Sequence, residues 1–450
     1  MPDLRDGTQT LYLGIVDAIA ADIQSGRLST ADRLPPQRVL AKALDVNYAT
    51  VSRAYGEAQR RGLIYSRVGQ GSFVRKPRAP HGPIARRSSG RVDMTMNLPP
   101  EPDDPLLLAR LENGFSQLAG ELRDMLRYQE FGGSIEARTA AASWLARVNL
   151  KADVERLLVC PGAQTALVAV ANSLAKPGDV ALCENITYPG MRALAAQLGI
   201  RLVGLGMDDE GIRVDELEAA CKEHRPKLLY CNPTLQNPTT ISISSGRRRE
   251  LVRSARTHGL AIIEDDVYGC LPSKPPDTFA ELAPDITYYV TGFAKCLGAG
   301  LRIAYLLAPD ARRVAQLSRI MRATTVMASP FAVSLTTHWV EDGTAEAALL
   351  AIRAESSARQ RLATKVLPSG SFRAHPEGFH LWLTLPPPWT RAAFASHMLA
   401  RGSHVVVSDA FAVDLEPPEA VRVCLGGEAD RGEIRRALEE MADALRSAPR

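Results

Sequence analysis

The sequence predicts an α/β chain in which a small basic head precedes a larger body. Three observations carry this. From about residue 150 to 340, apolar strand-like runs alternate with helical stretches, the pattern of a mostly parallel sheet with helices on both faces. Two of those runs break into turns rich in functional side chains. Leu260-Ala-Ile-Ile263 leads into Glu264-Asp-Asp-Val-Tyr-Gly269, and Ile286-Thr-Tyr-Tyr-Val290 leads to Lys295, a Gly-rich loop and Arg302. Charge is also uneven. Residues 1–91 carry fifteen Lys and Arg against seven Asp and Glu, while the rest carries thirty-nine against forty-three. A basic head on a mildly acidic body suits a head that meets a polyanion.

Length and composition bound the class. A chain of 450 residues is too long for one core and implies two or three domains. At 46% hydrophobic and 23% charged it reads as an ordinary soluble globular protein. Apolar runs stop short of membrane-spanning length, and Met1-Pro-Asp-Leu-Arg-Asp-Gly7 lacks the apolar core of a signal peptide. A cytoplasmic protein with no membrane partner is expected. The seven cysteines are scattered without a Cys-x2-Cys pair, so buried free thiols are expected rather than bridges or a zinc site. Cys296, beside Lys295, reads as a packing residue.

In the head, Leu11–Gln24 is an amphipathic helix with Leu11, Ile15, Ile19 and Ile23 on one face. Arg33–Leu44 holds a short helix started by proline. The turn Asp45-Val-Asn47 opens a third helix, 48–61, offering Tyr48, Thr50, Ser52 and Arg53 near its start. Gly62-Leu-Ile-Tyr65, a turn at Gly69-Gln-Gly71 and Ser72-Phe-Val74 complete a hairpin. Residues 1–75 therefore form a winged helix-turn-helix. Tyr48, Thr50 and Arg53 are placed to enter a major groove of double-stranded DNA, while Arg38 and the wing residue Gln70 meet phosphates. A small helical protein-interaction domain is the alternative reading. The segment closely resembles the GntR family of bacterial regulators. It departs where many wings of that family carry Arg and this one has Gln70, and where Tyr48 replaces a commoner Arg. Residues 76–91, rich in Pro, Gly, Ser and cations, read as a solvated linker.

The body, residues 92–450, is organised around the strand ends. A lysine amine, an acid, a phenol and an arginine at adjacent strand ends are what pyridoxal phosphate requires. Lys295 forms the Schiff base, Asp265 keeps the ring nitrogen protonated, Tyr268 bonds the ring oxygen and Arg302 pairs with the phosphate. With Cys160-Pro-Gly-Ala-Gln-Thr165, Tyr188, Gln236-Asn-Pro-Thr239, Tyr128 and Arg422, these residues resemble the fold-type I aspartate aminotransferase family over roughly residues 92–445. The resemblance implies that Gly162, Ala163 and Gln164 hold the phosphate at a helix N-terminus. It implies that Tyr188 stacks on the ring and that Asn237 bonds the ring hydroxyl. Tyr128 would reach a partner subunit's phosphate in a homodimer, and Arg422 would bind a carboxylate. From the residues alone, Tyr128 before a Gly-Gly turn could simply pack, and Arg422 between apolar strand residues could pair with an internal acid. His380, on an apolar strand, reads as a core or cleft-lining residue.

Two departures touch the chemistry. Gly292 and Ala294 stand where the aminotransferases commonly carry hydroxyls, and Thr240 stands where they have glycine. A Cβ at 240 would narrow the cleft or constrain the backbone. A GntR-type head fused to such a body identifies the chain as resembling the MocR subfamily of transcription regulators. That resemblance implies a large subdomain at about 150–340 and a smaller one from the remaining body segments. It implies an operator-binding regulator that senses an amino compound through external aldimine formation. An active aminotransferase with an accessory head, and a regulator responding to pyridoxal phosphate itself, are the alternatives.

Overall fold

Three helices and a hairpin make the head of the computed structural model, which describes residues 11–24, 27–29, 32–61, 63–67, 71–74, 91–414 and 416–447. By internal packing the chain divides into Met1–Ser89 and Gly90–Arg450. In the first unit the helices are Leu11–Gln24, Gln37–Leu44 and Tyr48–Arg60, followed by antiparallel strands Ile64–Arg67 and Gly71–Val74. The second helix starts directly after Pro36 and ends at Asp45, whose φ of 52° is left-handed. Asn47 starts the third by accepting the Ala49 N–H at 2.9 Å. Ile15, Val16, Ile19, Val51, Ala54, Tyr55 and Ile64 form the core.

One expectation fails in the first helix: Leu11 is 52% exposed while Val16 is fully buried. Positions four apart drift by about 40° per step around a helix, so a stripe from 11 to 23 cannot stay on one face. Gln70 and the linker, apart from Arg91, lie outside the described residues.

The second unit contains a seven-stranded sheet in the order Leu157–Cys160, Ala304–Leu307, Thr287–Gly292, Ala261–Asp265, Leu228–Cys231, Val180–Glu184, Arg201–Leu205. All neighbours run parallel except Ala304–Leu307, which is antiparallel to both strands beside it. Its strands are near-continuous apolar runs because both faces are covered. One face packs Trp144, Tyr289, Phe293 and Tyr305, and the other packs Leu167 and Val170 of the helix Ala163–Leu174. Helices Pro105–Leu118 and Ile135–Leu145 also lie in this large subdomain, packed on Pro330–Glu341. Assigning everything before residue 150 to the small subdomain is therefore too coarse.

The small subdomain is an antiparallel sheet, ordered Phe372–Ala374, His380–Thr384, Ala420–Cys424, Val406–Val407. The helices Thr344–Val366 and Arg431–Arg446 pack with it. The first residues of the body return to this subdomain. Val92–Asp93 pairs in parallel with Ser403–His404, and Val92 and Met94 enter its core.

Alternation along Ala261–Asp265 separates its two acids. Glu264 meets Arg248 at 3.1 Å in a pair with both side chains fully buried. It also accepts the N–H groups of Phe279 and Ala280 at 2.9 Å. Asp265 faces the site described next. Among the described residues no helix is long and apolar enough to cross a membrane, and all seven cysteines are buried free thiols.

Candidate functional site

A cavity of about 380 Å³ opens at the carboxyl ends of the parallel strands, where open α/β sheets place their ligands. Lys295, Asp265, Tyr268, Asn237, Tyr188, Arg302, Arg422, Gly162, Ala163 and Gln164 all line it. Tyr128 does not. It is 80% exposed on the surface.

Lys295 ends a short 3-10 turn directly after the strand Thr287–Gly292. Its Nζ donates to the main-chain oxygen of Asn97. Burial pulls the amine down to about 8, so the neutral, nucleophilic fraction near neutral pH is far larger than that of an ordinary lysine. The glycine three residues earlier is a packing requirement. A Cβ on Gly292 would sit 2.6 Å from the Ile303 carbonyl oxygen and 2.9 Å from Ala304 Cα. The adjacent antiparallel strand leaves no room for a hydroxyl-bearing side chain there.

Asp265 is held on one side only. Tyr230 donates to its Oδ2 at 2.7 Å, while Oδ1 is buried with no partner. Burial pushes its pKa up to about 7. A cationic N–H directed at Oδ1 would satisfy it. Asn232 fixes the surroundings. It donates from Nδ2 to the Asp265 carbonyl at 2.5 Å, accepts the Asn237 N–H at 2.8 Å, and gives its own N–H to Glu184 at 2.6 Å. Tyr268 accepts from Asn97 Nδ2 at 2.8 Å.

An anion cradle lies across the cavity. Gly162 has a φ of 89°, and a Cβ there would fall 2.6 Å from Arg302 Nη2. The guanidinium thus lies directly over the N-terminus of the helix Ala163–Leu174, whose first N–H groups have no intrahelical acceptor. Arg302 makes no hydrogen bond or ion pair among the described residues. An acid oxygen awaiting a cationic N–H, a buried amine and a cradle that a Cβ would fill together fit pyridoxal phosphate.

Arg422 is 6% exposed and pairs with no carboxylate among the described residues. It donates to Asn237 Oδ1 at 2.8 Å and to the Thr95 carbonyl, and its Nε has no partner. The internal-acid alternative therefore finds no acid. His380 is a core residue, held at Gln236 O at 3.3 Å and pushed down to about 3 by burial, then by Arg422. Thr240 has a left-handed φ of 63° and a buried, unpartnered hydroxyl. It strains the backbone as expected but does not line the cavity.

Sequence reasoning missed Asn97, Tyr230 and Asn232. Asn232 had a visible signal, as the polar break ending the apolar run Leu228–Cys231. Asn97 had none, since it precedes Tyr268 by 171 positions.

On the head, Tyr48 is 50% exposed and Arg38 lies 6.0 Å from its ring centroid. Arg53 is exposed and stacks 4.2 Å over the Tyr12 ring, while Thr50 is half-buried. Together they give the start of the third helix a cationic and aromatic surface.

Comparison with known proteins divides the chain in the same way. Residues 95–441 match aminotransferase class I and II, and residues 11–74 match bacterial regulatory proteins of the gntR family. The HTH-type transcriptional regulator YdeF of Bacillus subtilis is 28% identical over 425 residues, covering 94% of this chain and 91% of the relative. The HTH-type transcriptional regulator TauR of Rhodobacter capsulatus is 29% identical, with 72% of each chain covered. Among solved structures, the α-aminoadipate aminotransferase LysN of Thermus thermophilus, complexed with N-(5'-phosphopyridoxyl)-L-leucine, superposes with a TM-score of 0.71. It is 22% identical, covering 80% of this chain and 92% of that one, so the likeness is one of fold.

Proposed function

Since the chain belongs to the aminotransferase class I and II family and its head to the gntR regulators, we propose that it is a transcription regulator that senses an amino compound through pyridoxal phosphate. When bound, the cofactor supplies an electrophilic carbon that amines join and a ring that takes up electrons. The residues divide the work of holding it. Lys295 offers the amine for covalent attachment, and Asp265 Oδ1 receives the ring N–H. Tyr268 and Asn237 face the ring oxygen, and Tyr188 covers a ring face. Gly162, Ala163 and Gln164 hold the phosphate under Arg302. Arg422 orients the carboxylate of the effector. The observation that carries the reading is the convergence of Lys295, the unpartnered Asp265 oxygen and the Gly162–Arg302 cradle on one cavity.

Two features support a sensor over a turnover enzyme. The head is a DNA-binding domain, and Gly292 and Ala294 leave the lysine turn without hydroxyls near the phosphate side. In this reading Tyr48, Thr50 and Arg53 read base edges while Arg38 and Gln70 contact phosphates. A cytoplasmic homodimer, with Tyr128 reaching its partner's cofactor, would present two heads to two half-sites. Filling the site biases operator binding only if the effector binds two arrangements of the protein unequally.

Borohydride treatment of holo-protein tests the assignment. A cofactor adduct on Lys295 that Lys295→Ala abolishes is expected, and an unchanged adduct in that variant would remove the lysine from its role. An aminotransferase with an accessory head is the rival, favoured by the retained nucleophilic lysine. It requires steady turnover with a keto acid.

A further inference from the structure

We propose that Arg33, which lies outside the hairpin in sequence, gives the wing of the head a DNA-phosphate contact, an inference that rests on the DNA-binding reading of the head. The wing is wider than its two hairpin strands. Leu34 donates its N–H to the Ser72 carbonyl at 2.9 Å, Val74 donates to that of Asp32 at 2.8 Å, and Arg33 bridges Phe73 in antiparallel register. The segment before the second helix therefore runs as a short third strand beside Gly71–Val74. The turn residues 68–70, Val-Gly-Gln, carry no charge, so the cations of this wing are Arg67 in its first strand and Arg33 from outside the hairpin.

Gly71 gives Arg33 its place. Its φ is 108°, and a Cβ there would fall 3.0 Å from Arg33 Nε, 3.4 Å from Nη2 and 3.6 Å from Cζ. The guanidinium thus turns its face to the glycine, and its N–H groups, which radiate in the plane, stay open to an acceptor. Arg33 is exposed and makes no hydrogen bond or ion pair among the described residues. Other basic side chains of the head are already neutralised. Arg27 pairs with Asp22 at 2.6 Å and Arg61 with Asp17 at 2.9 Å, while Arg60 pairs with Glu57.

The connection places this cation beside the reading helix. Arg33 precedes Arg38 by five residues, so their Cα atoms lie at most about 18 Å apart. Between them the Pro35 carbonyl accepts the Tyr55 hydroxyl at 2.7 Å, which pins the segment to the third helix. The major groove is about 12 Å wide, so a cation at that reach from a helix in the groove meets a phosphate strand on its border. The contact carries charge and position but no sequence information.

The experiment uses full-length holo-protein, a duplex that this protein selects from random sequence, and a mixed-sequence duplex of the same length. Arg33→Met keeps the packing stem and removes the charge, whereas Arg33→Lys keeps the charge and removes the planar fork. Arg33→Met should weaken binding to both duplexes by a similar factor, about tenfold. It should also flatten the slope of log affinity on log salt by about 0.9, the release from one phosphate. Arg33→Lys should keep the wild-type slope, and neither variant should change thermal melting. An unchanged slope in Arg33→Met would overturn the proposal. So would equal losses in the Met and Lys variants with lowered melting, which would make Arg33 a brace of the wing, or a loss confined to the selected duplex, which would make it a base reader. If the wild-type protein binds neither duplex, the DNA-binding reading itself fails, and the role of Arg33 fails with it.

Discussion

Tyr230 donates its phenolic hydrogen to Asp265 Oδ2 at 2.7 Å and leaves the other carboxylate oxygen buried without a partner. The strand residue thereby orients the acid, setting which oxygen is offered to the cavity. Neither residue would be assigned that division from spacing alone, because they lie on adjacent strands, Leu228–Cys231 and Ala261–Asp265.

Tyr230→Phe should weaken cofactor binding by about 1.5–3 kcal/mol, the usual worth of a hydrogen bond to a charged group. The acid loses its orienting partner and ionises less readily, since that bond favours its charged form. Cofactor titration of the apo-protein measures this, and unchanged affinity would contradict the role given to Tyr230.

Gly162→Ala should lower cofactor affinity by at least about tenfold and cost about 1–2 kcal/mol of stability. The added Cβ would meet Arg302 at 2.6 Å, and φ at this position is 89°. Cofactor titration and thermal melting separate the two effects. Normal binding in a stable variant would dismiss the cradle.

Attachment of cofactor to apo-protein should speed up as pH rises and level off above about 8, the value to which burial pulls Lys295. The sign follows from the chemistry, because only the neutral amine attacks and the fraction of it grows as pH approaches and passes the pKa. Of the charged neighbours, Arg422 and Arg302 push the same way, while Asp265 opposes. Stopped-flow absorbance would show the profile. A rate still climbing steeply between pH 9 and 10.5 would place the amine at its ordinary value.

Thr240→Gly should stabilise the protein by about 1 kcal/mol, because a β-branched residue is strained at a φ of 63°. The change also removes a buried hydroxyl with no partner. Thermal denaturation reads the gain, and since Thr240 does not line the cavity, the absorbance response should not change. A destabilised variant would mean that the methyl packing outweighs the strain.

Arg53→Ala should cost about 1–3 kcal/mol on the cognate operator if Arg53 reads a base. Arg38→Ala should weaken all sequences alike and flatten the salt dependence. Fluorescence anisotropy against matched and scrambled duplexes distinguishes them. In this structure Arg53 rests on the Tyr12 ring at 4.2 Å, so reading a base means leaving that contact.

What was legible in the sequence follows a physical rule. Asp265, Lys295 and Arg302 could be read because a buried parallel strand is an unbroken apolar run, and the polar break after it marks the sheet edge where ligands bind. Asn97 could not be read, since its contacts reach Tyr268 and Lys295, 171 and 198 residues away, and the one to Lys295 uses a main-chain oxygen that carries no residue signature. Gly292 was legible as a departure but not in its cause, which is the closeness of the Ile303–Ala304 backbone. The rotated face of the first helix, with Val16 inside and Leu11 outside, shows how an assumed period of four misplaces the ends of a stripe.

The central claim, that chemistry at Lys295 governs DNA binding, is tested most directly by titrating holo-protein on its operator with an amino acid that shifts the absorbance, recording absorbance and operator affinity in the same samples. The account predicts that both change with one midpoint, that both vanish in Lys295→Ala, and that keto-acid turnover stays far below ordinary enzyme rates of about 1–1,000 per second. Operator affinity that stays constant while the absorbance shifts, accompanied by keto-acid turnover at those ordinary rates, would contradict it.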